Sequence, residues 1–191
     1  MQKLFNISKK GKTEAKKIVG MLDALTEDRL NEIKNKWQHF DKEGKRWLAS
    51  SLATNIVDEN KKEKIEKSKI EFIVKILSDP DLEVDTRILL IEYIGGKDKI
   101  AIKFAVDELK NMVETYERTD KEPTYLLNIL FIIDKYSKED YSAISYLERL
   151  YCLASKNYPP DHPDKKYIRS VFLKVYELYS EKELYLKTIY R

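Results

Sequence analysis

The chain has little of what chemistry usually needs. It holds one cysteine, Cys152, and two histidines, His39 and His162, in 191 residues. One cysteine excludes an intramolecular disulfide framework and fits a reducing compartment. A zinc site built from histidine and cysteine alone would use all three and still lack a ligand. No HExxH, CxxC, Gly-rich phosphate loop or GxSxG occurs, so the local signatures of metalloprotease, redox, phosphate-loop and serine-hydrolase chemistry are missing. No apolar run approaches the roughly 20 residues of a membrane span. The apolar segment near the N-terminus is too short for a signal peptide. The sequence therefore predicts a cytoplasmic protein with no catalytic residue, no metal, no cofactor and no membrane partner.

Glycine and proline are also scarce, at five each, while 36% of residues are charged and 42% are hydrophobic. That balance belongs to a helical protein with long amphipathic helices and short connections. The net charge of +3 is no nucleic-acid signature by itself. Its distribution is uneven: residues 1–70 carry +6, residues 71–140 carry −6 and residues 141–191 carry +3. A basic third could serve a polyanion and an acidic third a basic partner, although solvated helix faces account for both.

Hydrophobic spacing predicts helices throughout. A basic, loosely ordered lead-in over 1–12 precedes a helix from Thr13 to about Leu25. Thr26 is the expected N-cap of the next helix, with Glu27 and Asp28 at its positive end. Asp41 opens a helix whose inward face takes Trp47, Leu48, Leu52 and Ile56. A charged helix follows over 60–77. Pro80 or Asp81 is expected to open a short helix that Gly95 and Gly96 end in the left-handed conformation. Asp98 starts another helix, and Asp120 to Pro123 break it. The segment TYLLNILFIIDKY is apolar nearly all round, so it is expected at the centre of the core. Ser137 with Asp140, and Ser180 with Glu183, read as capping boxes opening further helices. Three prolines exclude helix from Asn157 to Asp164.

The period is the strongest sign of organisation. Starts of alternate helices fall near Asp41, Pro80, Pro123 and Pro163, spaced 39, 43 and 40 residues. Caps of the intervening helices fall at Thr26, Asn60, Asp98, Ser137 and Ser180. A common spacing of about 40 matches HEAT or armadillo units rather than the roughly 34 of tetratricopeptide repeats. The residues of one unit agree. Asp79-Pro80-Asp81, Val84, Arg87, Leu89, Leu90, Ile94, Gly95, Asp98 and Ala101-Ile102 resemble the second helix of a HEAT repeat running into the next unit. The resemblance covers Ser78–Ile102. It implies an all-α fold, an α-α superhelix of four to five degenerate HEAT-like hairpins, forming one domain over 13–191. The core stripe of Leu89, Leu90 and Ile94 is then expected again at Leu48, Leu52 and Ile56, and at Leu126, Leu127 and Phe131.

Two sets of candidate binding residues follow. A protein partner is expected first, since repeat arrays expose a long surface made by their second helices. Candidate contacts are Asp79, Asp81, Asp85 and Arg87 in the acidic third, with Tyr125, Tyr176 and Tyr179. Ten of the 13 tyrosines lie from Tyr136 onward, and tyrosine is enriched at interfaces. One concrete form is an immunity-type protein that neutralises a basic partner. The alternative is nucleic-acid binding through Lys34, Lys36, Trp37, Lys42, Lys45 and Arg46, where lysines would release counterions. HEAT-like repeats are also the scaffold of a small family of DNA glycosylases for alkylated bases, whose aromatic and carboxylate cluster Trp37, Trp47, Arg46 and Asp41 could imitate. Both tryptophans fall in apolar stripes, the ordinary place for core aromatics. Cys152 reads as an inert core thiol, His39 as a boundary residue and His162 as part of a turn.

Overall fold

The computed structural model describes residues 25–54, 62–137 and 141–189, with side chains as far as 181. The expected first helix, the basic lead-in, Ile56 and Asp140 lie outside these residues. The described residues form eight α-helices and no strand beyond an isolated bridge at Leu25. They are α1 (Glu27–Lys36), α2 (Lys42–Thr54), α3 (Lys62–Ile76), α4 (Val84–Gly95), α5 (Ile100–Thr119), α6 (Leu126–Tyr136), α7 (Ile144–Asn157) and α8 (Pro163–Ile189), with a 3₁₀ turn at Trp37–His39. The chain divides into two compact units, the first ending at Ile94 and the second beginning at Gly95.

In the first unit α3 packs against both α1 and α2. The N-cap of α1 is as expected: Arg29 N donates to Thr26 Oγ1 at 3.4 Å, and Glu27 and Asp28 occupy the first turn. The core takes Leu30 and Ile33 from α1, Leu48 and Leu52 from α2, Ile65, Phe72, Ile73 and Ile76 from α3, and Leu90, Ile91 and Ile94 from α4. Each such side chain contributes about 1.5–3 kcal/mol when fully buried.

In the second unit α5 packs on α6 and on α7, while α8 packs on α6 and on α7. Alternate helices of this unit thus touch, α5 with α7 and α6 with α8. The core runs through Ala105, Leu109, Val113 and Tyr116 of α5, Ile129, Leu130, Ile132 and Ile133 of α6, Leu147 and Leu150 of α7, and Ile168, Val171 and Val175 of α8.

Several local expectations are corrected. α4 opens at Val84 rather than at Pro80. Asp79 holds the intervening residues as a turn: its Oδ1 accepts Asp81 N–H at 2.9 Å, and Leu82 N–H donates to Asp79 O. Gly95 and Gly96 do not adopt the left-handed conformation, for no described glycine has positive φ. Gly95 is needed for a close approach instead, since a Cβ there would sit 2.6 Å from Tyr136 Cε2. Ser180 opens no new helix. It lies inside α8, where no proline or glycine interrupts the chain, and its hydroxyl donates to Glu177 O. Ser137 closes α6 rather than opening α7, because its N–H and its hydroxyl both donate to Ile133 O.

Burial brings four further corrections. Leu126 is in the core, but Leu127 and Phe131 are 38% and 46% exposed, so α6 is not enclosed on all sides. Leu89 is only half-buried, unlike Leu90 and Ile94. Trp47 is exposed, and so is Cys152.

Candidate functional site

The basic and acidic candidates of the first unit meet each other. Lys45 projects from α2 into the turn before α4, where its Nζ lies 3.0 Å from Asp79 Oδ2 and 2.6 Å from Asp81 Oδ2. The Lys45 and Asp79 side chains are only 5% and 9% exposed. Trp37 Nε1–H donates to Asp79 Oδ2 at 2.7 Å, and the indole packs edge-on against Phe72. Burial opposes the charge on Lys45, but its hydrogen bonds to Asp81 and Asp79 outweigh that and raise its pKa. Burial likewise favours a neutral Asp79, yet bonds from Asp81 N–H, Trp37 and Lys45 hold its carboxyl below the ordinary value.

A more open layer of pairs continues along the same seam. Arg46 lies 2.8 Å from Asp85 Oδ2 and 3.6 Å from Glu83 Oε2, and Lys42 is 3.1 Å from Glu83 Oε1. Arg87 donates to Leu82 O at 2.5 Å and fastens the turn. Lys34 reaches Ser68 Oγ, and Lys36 pairs with Glu32 one turn earlier in α1. All five cations of the nucleic-acid set thus have an acceptor within the chain. The carboxylates of the protein-binding set, Asp79, Asp81 and Asp85, likewise each have a cationic donor. Asp41 caps α2 through Gly44 N–H, with its Oδ2 buried and without a hydrogen bond.

A second buried cluster lies between α3 and α4. Lys69 is fully buried, with Nζ 4.2 Å from the centroid of the Tyr93 ring, a cation–π contact. Tyr93 donates its hydroxyl proton to Glu66 Oε2 at 2.6 Å. Burial first, and that carboxylate second, push the Tyr93 phenol well above its usual range. Nothing in the residue pattern points to this cluster, since Lys69 reads as one more charge in a charged helix.

The tyrosine candidates of the second unit are scattered. Tyr125 sits at the start of α6 with φ 71° and is 44% exposed. Tyr176 is 48% exposed and lies 6.0 Å from Phe172, which stacks on Tyr151. Tyr179 packs edge-on against Tyr141. What sequence reasoning missed is the outer side of α6. Leu127 and Phe131 are one turn apart there, and Lys135 places its Nζ 5.4 Å from the Phe131 ring. A signal was present: Phe131 lies three residues after Asn128 and four before Lys135, on the polar stripe of the helix.

His162 does belong to a turn. Its ring stacks on Tyr158 at 4.1 Å, and its Nδ1 is buried without a hydrogen bond, 3.9 Å from Asp164. Burial, then the Asp164 charge, raises the Glu122 carboxyl above its usual range, and only His162 opposes this. Asn157 ties the loop down by donating to Tyr116 Oη and Asp120 Oδ1. No group of three or more His, Cys, Asp and Glu side chains suited to a metal occurs among the described residues. No described helix is long and apolar enough to cross a membrane.

Comparison with known proteins adds no assignment: no family model, no curated protein and no solved structure matches this chain.

Proposed function

We propose that this chain is a non-enzymatic interaction module, an α-α superhelix of four to five HEAT-like helical pairs that binds another protein with its second helices. One observation carries the binding face. Every large apolar or aromatic side chain that is exposed among the described residues lies on the second helix of a pair or at its start. These are Trp47 on α2, Tyr125, Leu127 and Phe131 on α6, and Leu173 and Tyr176 on α8. The first helices α1, α3, α5 and α7 present none. Apolar exposure confined to one class of element marks an interaction surface better than single scattered residues do.

The stacking reading is supported by how far the contacts reach. Lys34 meets Ser68 across 34 residues, Trp37 meets Asp79 across 42, Tyr116 meets Asn157 across 41, and Lys174 meets Asp134 across 40. Contacts reaching one repeat length ahead are what a stacked array makes, because each unit touches its neighbours alone. The partner best suited to α6 is an amphipathic helix. Its apolar stripe would lie along Leu127 and Phe131, with a carboxylate at the Lys135 end.

The nucleic-acid reading has less support, since the lysines and the arginine it needs are engaged within the first unit. The immunity-type version meets the same objection at Asp79, Asp81, Glu83 and Asp85. Affinity measurements on the co-purified partner test the proposal. Leu127→Ser and Phe131→Ser should each weaken binding by about tenfold or more, while Lys42→Ser and Arg46→Ser leave it unchanged. The reverse ranking, or binding of short duplex DNA at low salt by micromolar protein, would sink it.

A further inference from the structure

One side of α8 carries a row of side chains at intervals of four residues: Lys165, Arg169, Leu173, Glu177 and Glu181. Residues four apart are neighbours on a helix surface, so the row runs basic, basic, apolar, acidic, acidic. Leu173 at its centre is 41% exposed, and Arg169, Glu177 and Glu181 are exposed as well. The core residues Ile168, Val171 and Val175 lie on the opposite side of the helix.

Nothing within the chain accounts for this order of charge. Among the described residues, none makes an ion pair with Lys165, Arg169, Glu177 or Glu181. The neighbouring Lys166 and Lys174 are by contrast engaged, with Asp161 and Asp134. Like charges at four-residue spacing disfavour a helix on its own, and the row contains two such pairs. Arg169 and Glu177 lie about 12 Å apart along the axis, too far to meet each other. Beside Leu173, the Tyr176 ring rests 6.0 Å from Phe172, which stacks on Tyr151 of α7.

A row that is basic at one end and acidic at the other is complementary to its own reverse. Turned end for end about Leu173, it sets Arg169 against Glu177 of a second copy, and Glu177 against that copy's Arg169. A two-fold contact requires such self-complementarity, since residue i meets j and j meets i. We propose that this side of α8 is a homodimer contact, where the α8 helices of two copies cross antiparallel about Leu173 with Tyr176 beside it. One helix from each copy buries an area at the low end of specific interfaces, so the dimer is weak, with a dissociation constant of about 10–100 μM. The inference rests on reading exposed apolar side chains of second helices as contact sites. It assigns the share of α8 to a second copy and leaves that of α6 to a different protein.

Analytical ultracentrifugation of the full chain at low salt tests the assignment. The parent chain should show a monomer–dimer equilibrium. Arg169→Glu and Glu177→Arg should each weaken it by about tenfold or more, because each turns two attractive pairs into two repulsive ones. An equimolar mixture of these two variants should associate at least as well as the parent, since each then supplies the charges the other lacks. Leu173→Asp should weaken the dimer by about tenfold or more, as two carboxylates would meet on the axis. Phe131→Ser should leave the dimer unchanged, which separates this contact from partner binding through α6. A chain that stays monomeric at about 500 μM would overturn the proposal. So would a mixture that associates no better than either variant alone, or a dimer abolished by Phe131→Ser.

Discussion

The two units use their distinctive residues in opposite ways. In the first, charge that could meet a partner is spent on the fold: Lys45 and Asp79 close a buried junction, and the more exposed Asp81, Arg46, Lys42, Glu83 and Asp85 extend it. In the second, apolar side chains that could fill a core stand outside it, Leu127, Phe131, Leu173 and Tyr176 among them. A charged stretch is therefore poor evidence of a binding site when its counter-charges lie 34 to 39 residues away. An apolar helix is likewise poor evidence of a core position when one of its faces has no neighbour.

The largest expected effect comes from breaking the junction of the first unit. Asp79→Ala leaves the Trp37 N–H without its acceptor and the buried Lys45 ammonium with Asp81 alone, and should cost about 2–3 kcal/mol in denaturant unfolding. A loss below about 1 kcal/mol would mean the junction is an ordinary surface pair. The same junction predicts a pH profile. The Asp79 carboxyl lies below its ordinary 3.8, so its contribution is present above that value and lost as pH falls through the folded-state pKa. Lys45 lies above its ordinary 10.5, so its contribution is present below that value and lost as pH rises further. The acid unfolding curve of Asp79→Ala should lack the first contribution, while the alkaline curve should keep part of the second, because Asp81 still bonds Lys45.

Gly95→Ala comes next. The added methyl must displace the Tyr136 ring and should destabilise the chain by about 1–3 kcal/mol. Gly96→Ala, with room for its Cβ, should stay within about 0.5 kcal/mol of the parent. Equal effects at the two positions would argue against close packing as the reason for Gly95. Phe131→Ser sharpens the contrast from the other side: it should leave stability within about 0.5 kcal/mol, as befits an exposed site, while weakening partner binding. The smallest effect is expected at Glu122. Its raised carboxyl pKa means that stability falls as pH rises through that pKa. Glu122→Gln should therefore raise the melting temperature slightly at pH 7, and the gain should vanish below the ordinary value of 4.5.

Much of the fold was legible because it depends on local rules. Helical spacing, the Thr26 cap, the Asp98 start and the interruption at Asp120–Pro123 all follow from neighbours within a few residues. The charge seam was not, although each of its members was conspicuous. Lys45 and Asp79 are 34 residues apart, and nothing local says that an N-terminal lysine will face an acidic turn. Reading both as sites treated two halves of one contact as rivals. Leu127 and Phe131 failed for a related reason: apolar residues around a whole helix are compatible with burial, and only the neighbouring helices decide which face is left open. Gly95 shows a third kind of limit. Its identity was read correctly as a constraint, but the constraint is the Tyr136 ring rather than the backbone angle.

The central claim is that binding passes through the exposed apolar side chains of the second helices and not through the charged side chains of the seam. Site-specific photo-crosslinking in the native cell tests it most directly, with a benzophenone amino acid placed at position 131 in one version and at position 46 in another. Both side chains are solvent-exposed, so accessibility alone does not separate them. The account predicts a discrete crosslinked partner from position 131 and none from position 46. A partner captured from position 46 and not from 131 would contradict it.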